Sequence, residues 1–193
     1  MSTQGSSVAL LGRQIYDLAL VLREDEELTD PNGEPINWLL DVRVPMMHGD
    51  LARQVGEILA GRARSAGVHQ VVGSGFGAYS MVTAATMAPG YPAVRGGFVR
   101  PVHKPYGRRR LVEGAVHRDN PIILLDDILN SGISAIRTVR HLHGDGFRVA
   151  GFISIFEFSW SGGRKRLEQE GLWVDSILEL NPGRDNSTSS DSA

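Results

Sequence analysis

Pro121-Ile122-Ile123-Leu124-Leu125-Asp126-Asp127-Ile128-Leu129-Asn130-Ser131-Gly132-Ile133-Ser134 decides how the rest of the chain is read. Its four consecutive apolar residues, opened by a proline, have the length and composition of a strand buried on both faces. The run meets two adjacent carboxylates, then a short polar loop with glycine, then a helical segment over 135–143. In open parallel sheets ligands bind at the carboxyl ends of strands, in loops of this kind. Asn130, Ser131 and Ser134 can donate side-chain hydrogen bonds. Backbone N–H groups near Gly132 would stand at the positive end of the following helix, where a phosphate monoester is stabilised. Asp126 and Asp127 can accept hydrogen bonds from vicinal hydroxyls. Diol and phosphate binders so close together suit a sugar phosphate; the plainer reading makes the two acids only a helix cap and a turn.

Outward from this stretch the two hydrophobic periods alternate. Val8, Leu11, Ile15, Leu18, Ala19 and Leu22 recur at helical spacing, with Ser6 or Ser7 as the cap. Leu51, Val55, Ile58 and Leu59 mark a second helix that ends before Gly67. Strand-type runs follow at 70–72, 97–99, 122–125, 149–156 and 173–178, with helical segments at 79–87, 135–143 and 164–169. That alternation predicts an α/β fold, a central parallel sheet covered on both faces. No internal repeat and no long linker interrupts it, so residues 1–183 are expected to form a single domain. The polar 184–193 segment is expected to be a disordered tail.

The 193 residues are 41% hydrophobic and 22% charged, enough to bury a core, and Lys+Arg 20 against Asp+Glu 22 excludes a basic coat for nucleic acid. The absence of cysteine rules out disulfides and cysteinyl metal sites; a reducing cytoplasm is the simplest home. There is no export-type N-terminus and no apolar run of membrane-spanning length. Charge is nevertheless uneven. From Ile58 through Val112 there is no acid, while Arg62, Arg64, Arg95, Arg100, Lys104, Arg108, Arg109 and Arg110 are all there. The densest part, 100–110, reads either as a solvated basic hairpin or as an anion-binding loop. Only Lys104 and Lys165 are lysines in an Arg-rich chain. His103 alone among the histidines shares this neighbourhood; His48, His69, His117, His141 and His143 keep no metal-ligand company.

Gly73-Ser74-Gly75-Phe76-Gly77-Ala78 joins a strand to a helix and can turn backbone N–H groups toward a phosphate. A nicotinamide site would want an acid about 20 residues on. The acid-free span contains none, which makes a dinucleotide-dependent oxidoreductase the weakest reading; tight turn packing is the alternative.

The 121–134 stretch resembles the PRPP-binding motif of type I phosphoribosyltransferases: four apolar residues, two acids, two variable residues, Thr or Asn, Thr or Ser, Gly, one variable residue, Ser or Thr. More of the chain resembles the orotate phosphoribosyltransferase branch. Phe98-Val99-Arg100, Lys104 and Gly107, followed by Leu111-Val112-Glu113-Gly114, are similar to that family's mobile catalytic loop and the strand after it. Leu39-Leu40-Asp41-Val42-Arg43 is similar to its segment before the second helix, and Gly162-Gly163 to its turn after the fourth strand. The likeness runs over roughly residues 28 to 180. It implies a type I phosphoribosyltransferase fold with a small hood, and a homodimer whose 100–110 loop reaches the neighbouring subunit's site. It also implies that Asp126 and Asp127 hold the ribose hydroxyls of PRPP, with Asn130, Ser131, Gly132, Ile133 and Ser134 around its 5′-phosphate. Gly75, Phe76 and Gly77 would approach the pyrophosphate; Arg100 and the catalytic Lys104 would neutralise its departing charge. Mg²⁺ would arrive with PRPP, without direct protein ligands.

The chain departs from the family at the base and leaving-group contacts. Pro101 and Tyr106 stand where the loop motif has lysine and histidine, and Gly77 where the pyrophosphate turn has lysine. Thr29-Asp30-Pro31-Asn32-Gly33 replaces a Lys-Ser-Gly, and Ser159, after Phe158, takes the place of the arginine that meets the orotate carboxylate. Two cationic contacts to an acidic base are missing. Phe158 and Ser159 are the candidate base pocket; Phe158 and Trp160 read either as a stacking wall or as core. Asp41 and Arg43 read as a structural ion pair or as part of the site. The expected activity is transfer of ribose 5-phosphate from PRPP to a nitrogen base, a pyrimidine other than orotate being one candidate. The rival from a different class is a regulatory module that senses PRPP or a nucleotide.

Overall fold

A computed structural model describes residues 3–29, 33–101 and 110–181. Helix α1 (Thr3–Ala19) leads into a short antiparallel ribbon, β1 (Leu20–Leu22) with β2 (Trp38–Leu40), followed by one turn of helix, α2 (Arg43–Met46). Then come α3 (Gly49–Ser65), β3 (Gln70–Ser74), α4 (Phe76–Met87), β4 (Arg95–Val99) and β5 (Val112–Gly114). The chain closes with β6 (Ile122–Leu129), α5 (Ile133–Gly144), β7 (Val149–Phe158), α6 (Gly163–Gln169) and β8 (Trp173–Leu180).

The main sheet has the order β5-β4-β3-β6-β7-β8, all neighbours parallel except the antiparallel edge pair β4–β5. It is the α/β architecture that the alternating periods predict. Helices cover both faces. On one, Leu59, Met81, Val82 and Ala85 pack with Val71, Ile123, Leu125 and Ile153; on the other, Ala135, Val139, Leu142 and Leu167 pack with Val72, Ile122, Leu124 and Phe152. Consecutive residues of β3 and β6 thus serve opposite cores, which is why those strands are apolar without alternation. The β1–β2 ribbon and α2 form the small hood, anchored by buried Leu40, Val42 and Met46 in the first core.

Three local readings change. Leu22 belongs to β1 and not to the first helix: it fits the helical stripe, but Leu20–Leu22 pairs with Trp38–Leu40. Ser6 and Ser7 lie inside α1 and do not cap it. Strand β6 does not stop at Leu125 but carries both acids within it, held by pairing of Asp126 with Ser154 and of Ile128 with Phe156. The basic span is also partly structural: Arg62 pairs with Asp175 at 3.1 Å and Arg64 donates to the Pro89 carbonyl at 3.0 Å.

Candidate active site

Strand order sets where the site lies. From β3 the chain runs to β4 on one side and later returns to place β6 on the other. The switch point therefore falls between β3 and β6, and a crevice opens beyond their carboxyl ends. Gly73 with Leu125 is the last pair between β3 and β6, so the two strands part at Ser74 and Asp126 while each stays paired on its other side, Ser74 with Val99 and Asp126 with Ser154. Helix α4 starts at Phe76 and α5 at Ile133, on opposite faces of the sheet. Two helix N-termini and two carboxylates thus converge on one crevice. No single segment of sequence displays this; it needs the order of the strands.

The acids sit in a strained electrostatic setting. Burial, then the neighbouring charge of Asp127 and a side-chain hydrogen bond with it, push the Asp126 carboxyl up to about 8. Each carboxyl also accepts the next backbone N–H, Asp127 N on Asp126 Oδ1 and Ile128 N on Asp127 Oδ1, both at 3.0 Å. The raised value favours the protonated form of Asp126, and hydroxyl donors from a ligand would favour its ionised form.

Asp126 shares a small cavity with Leu129, Asn130, Ser131, Gly132 and Ser134. Gly132 has φ +74°, a left-handed conformation that lets the chain turn from β6 into α5 with its amides directed at the loop. Asn130, Ile133 and Ser134 are exposed, ready to meet a ligand. The loop is braced from behind: Ser161 Oγ donates to the Asn130 carbonyl at 2.7 Å, and Arg166 Nη1 donates to the Ser131 carbonyl at 2.6 Å. Neither brace is visible in the 121–134 stretch; the Gly162-Gly163 turn was the only signal near them.

Across the crevice, Gly77 lies so close to Asp127 that a Cβ there would collide with its carboxylate. The turn at Gly75, Phe76 and Gly77 thus sits beside the acids, but no cation stands in it. Arg43 of the hood is gripped by Asp41 through Nε at 2.6 Å and Nη2 at 2.8 Å. That hydrogen-bonded pair lowers the Asp41 carboxyl and raises Arg43, which also feels the charge of Asp127. Asp41 and Arg43 therefore form an ion pair on the acid side of the hood. Arg100 leaves β4 with its N–H on the Leu111 carbonyl at 2.9 Å and its guanidinium 4.0 Å from Glu113. Lys104 and Tyr106, with 102–109 as a whole, lie outside the described residues.

At the end of β7, Phe158 stacks on Trp160 with centroids 4.9 Å apart and planes 8° apart, and Trp38 of the hood meets Phe158 edge-on at 5.9 Å. Ser159 is exposed between them, its N–H on the Leu180 carbonyl at 3.1 Å. Trp38 joins this group only because the hood folds over the strand end, a contact with no trace in local sequence.

No family model matches the chain. Over 153 residues, 79% of this chain and 84% of the relative, it is 27% identical to the orotate phosphoribosyltransferase of Mycobacterium avium strain 104. Among solved structures it is similar to a phosphoribosyltransferase from Corynebacterium diphtheriae, with a TM-score of 0.75 and 24% identity over 91% of this chain and 96% of that one. The Mycobacterium tuberculosis H37Rv orotate phosphoribosyltransferase in complex with PRPP superimposes with a TM-score of 0.73 and 24% identity, covering 90% of this chain and 96% of that one. Over most of its length the chain is similar to orotate phosphoribosyltransferases. Its sheet and hood are those of the type I phosphoribosyltransferase fold.

Against that family the departures become geometric. Where the pyrophosphate turn would carry a lysine, Gly77 leaves no room for any side chain while Asp127 keeps its place. Where an arginine would meet a base carboxylate stands an exposed Ser159, whose chain neighbours Phe158 and Trp160 stack on each other. The acids, the 130–134 loop and the two helix starts remain.

Proposed function

We propose that the chain is a PRPP-dependent phosphoribosyltransferase, a pentosyltransferase that moves ribose 5-phosphate onto a nitrogen base and releases pyrophosphate. The observation that carries the reading is the convergence of Asp126 and Asp127 with the Gly132 helix start at the β3–β6 switch point. Asn130, Ser131, Gly132, Ile133 and Ser134 take the 5′-phosphate; Asp126 and Asp127 accept hydrogen bonds from the ribose hydroxyls. The bond from C1 to the pyrophosphate oxygen breaks with its electron pair leaving on pyrophosphate. A nitrogen lone pair of the acceptor forms the new C1–N bond, and the proton of that nitrogen is lost. The transition state places positive charge on the ribose ring and negative charge on the leaving group. The carboxylates stabilise the first. Arg100, Lys104 and the backbone amides of the Gly75–Gly77 turn stabilise the second, and the 100–110 loop excludes water.

Among the described residues no group of three or more His, Asp or Glu could hold a metal ion. Two carboxylates beside a polyphosphate site do fit Mg²⁺, which favours a few carboxylates plus substrate phosphates. Bound with PRPP, the ion would supply charge neutralisation on the pyrophosphate, and Asp126 and Asp127 are the residues that would hold it there together with the substrate.

A homodimer, with the 100–110 loop reaching the neighbouring site, belongs to the same proposal. Val44, Met47, Phe76, Met87 and Tyr91, on and beside α2 and α4, support it: all are exposed and apolar or aromatic. No helix among the described residues is long and apolar enough to cross a membrane. A second reading, a PRPP sensor without efficient turnover, is favoured by the cation-free turn at Gly77. Pyrophosphate release in the presence of PRPP, Mg²⁺ and a panel of bases separates the two. Turnover with any base establishes the transferase; saturable PRPP binding with no release under any base establishes the sensor.

A further inference from the structure

The aromatic group at the end of β7 bears on which acceptor the site takes, an inference that rests on the transferase reading. Trp160 has one indole face on Phe158, and half of its surface is open to solvent. Trp38 is 40% exposed and closes the far side of Phe158 edge-on. The turn that carries Trp160 is rigidly tied to the phosphate loop. Ser161 N–H donates to the Phe158 carbonyl at 3.1 Å, while Ser161 Oγ reaches both that carbonyl and Asn130 O at 2.7 Å. Arg166 spans the Ser131 and Ser161 carbonyls at 2.6 and 3.3 Å. Trp160 is therefore held in fixed relation to the place where the sugar phosphate would lie.

The cations that follow this group in the chain are already committed. Residues 158–163 contain no ionisable side chain. Arg164 donates to both oxygens of buried Glu157, through Nε at 2.7 Å and through Nη2. Arg166 is spent on backbone carbonyls. On the hood side Arg23 and Glu24, charges of opposite sign, line one cavity with Trp38. A carboxylate brought to the open face of Trp160 would lose water and find the guanidiniums of Arg164 and Arg166 already engaged, which is costly. An uncharged ring would lose little and gain a stacking partner. We propose that the acceptor is an uncharged planar nitrogen heterocycle, stacked on the open face of Trp160, and that Ser159 with the Trp38–Phe158–Trp160 group excludes carboxylated bases.

The test supplies PRPP and Mg²⁺ with uracil, cytosine, adenine and orotate, following pyrophosphate release and the quenching of tryptophan emission. The result expected is a kcat/KM for at least one uncharged base more than tenfold above that for orotate. Trp160→Ala should raise the KM for that base at least tenfold and leave the Kd for PRPP within twofold. Trp160→Phe should keep turnover while removing most of the base-dependent quenching. Ser159→Arg should shift the preference toward orotate. Orotate as the best acceptor, an unchanged KM in Trp160→Ala, or neither turnover nor quenching with any uncharged base would each overturn the proposal. PRPP binding by calorimetry keeps the outcomes apart: if it is present, these failures touch only the acceptor class, and if it is absent the transferase reading itself fails.

Discussion

At the scale of single residues, Asp126 is a buried ionisable group held at the expense of stability. Its carboxyl is raised to about 8 in the folded chain against 3.8 as an ordinary carboxyl, chiefly by burial and next by Asp127. The folded state therefore holds a proton that the unfolded state has released. The stability this contributes is complete below about pH 4 and is lost as pH rises to about 8. Asp126→Asn removes the dependence. Its melting temperature should match wild type near pH 4, exceed it by a margin that widens up to pH 8, and level off above; parallel melting curves across that range would contradict the account. Gly77 offers a second residue-scale test. Gly77→Ala drives a methyl into Asp127, and denaturant titration should show a loss of about 1–3 kcal/mol, the usual cost of overpacking. The acids and Gly132 were legible from sequence because their chemistry is local. Gly77 was legible only as a departure; that Asp127 fills its space required the fold.

At the scale of elements, the 130–134 loop and the turn after β7 are tied together by hydrogen bonds from Ser161 and Arg166. Ser161→Ala removes the donor to Asn130 and Phe158, and should cost about 1 kcal/mol of stability. A larger relative effect is expected in PRPP affinity, several-fold by calorimetry, because the loop loses its brace; an unchanged affinity would separate the turn from the site. Elements were legible where length and period agreed, as in β7 and α3. They were misread where a residue fitted two patterns, as at Leu22, whose strand partner Trp38 lies far along the chain. The extension of β6 through Asp126 and Asp127 escaped notice for a related reason: carboxylates do not look like strand residues until Ser154 and Phe156 are seen beside them.

At the scale of the whole molecule, parallel topology could be read from alternation, but the order β5-β4-β3-β6-β7-β8 could not. It depends on pairings between segments about 50 residues apart, such as Val72 with Leu124. That order makes a crevice at the switch point and brings the turn at Gly77 to the acids. It also leaves Met47, Phe76, Met87 and Tyr91 uncovered. Sedimentation of the full chain should show a dimer, and Met47→Glu should shift it toward monomer with a lower turnover, since the 100–110 loop would lose its neighbouring site. A monomeric wild-type chain with full activity would remove the shared-site part of the proposal.

The central claim is that Asp126, Asp127 and the loop after them grip a phosphorylated pentose. Calorimetric titration of PRPP with Mg²⁺ into the wild-type chain and into the Asp126→Asn, Asp127→Asn double variant tests it most directly. One saturable site per chain is expected in the wild type, with binding lost in the variant while its circular dichroism spectrum is unchanged. No heat at millimolar PRPP in the wild type, or equal affinity in a folded variant, would contradict it.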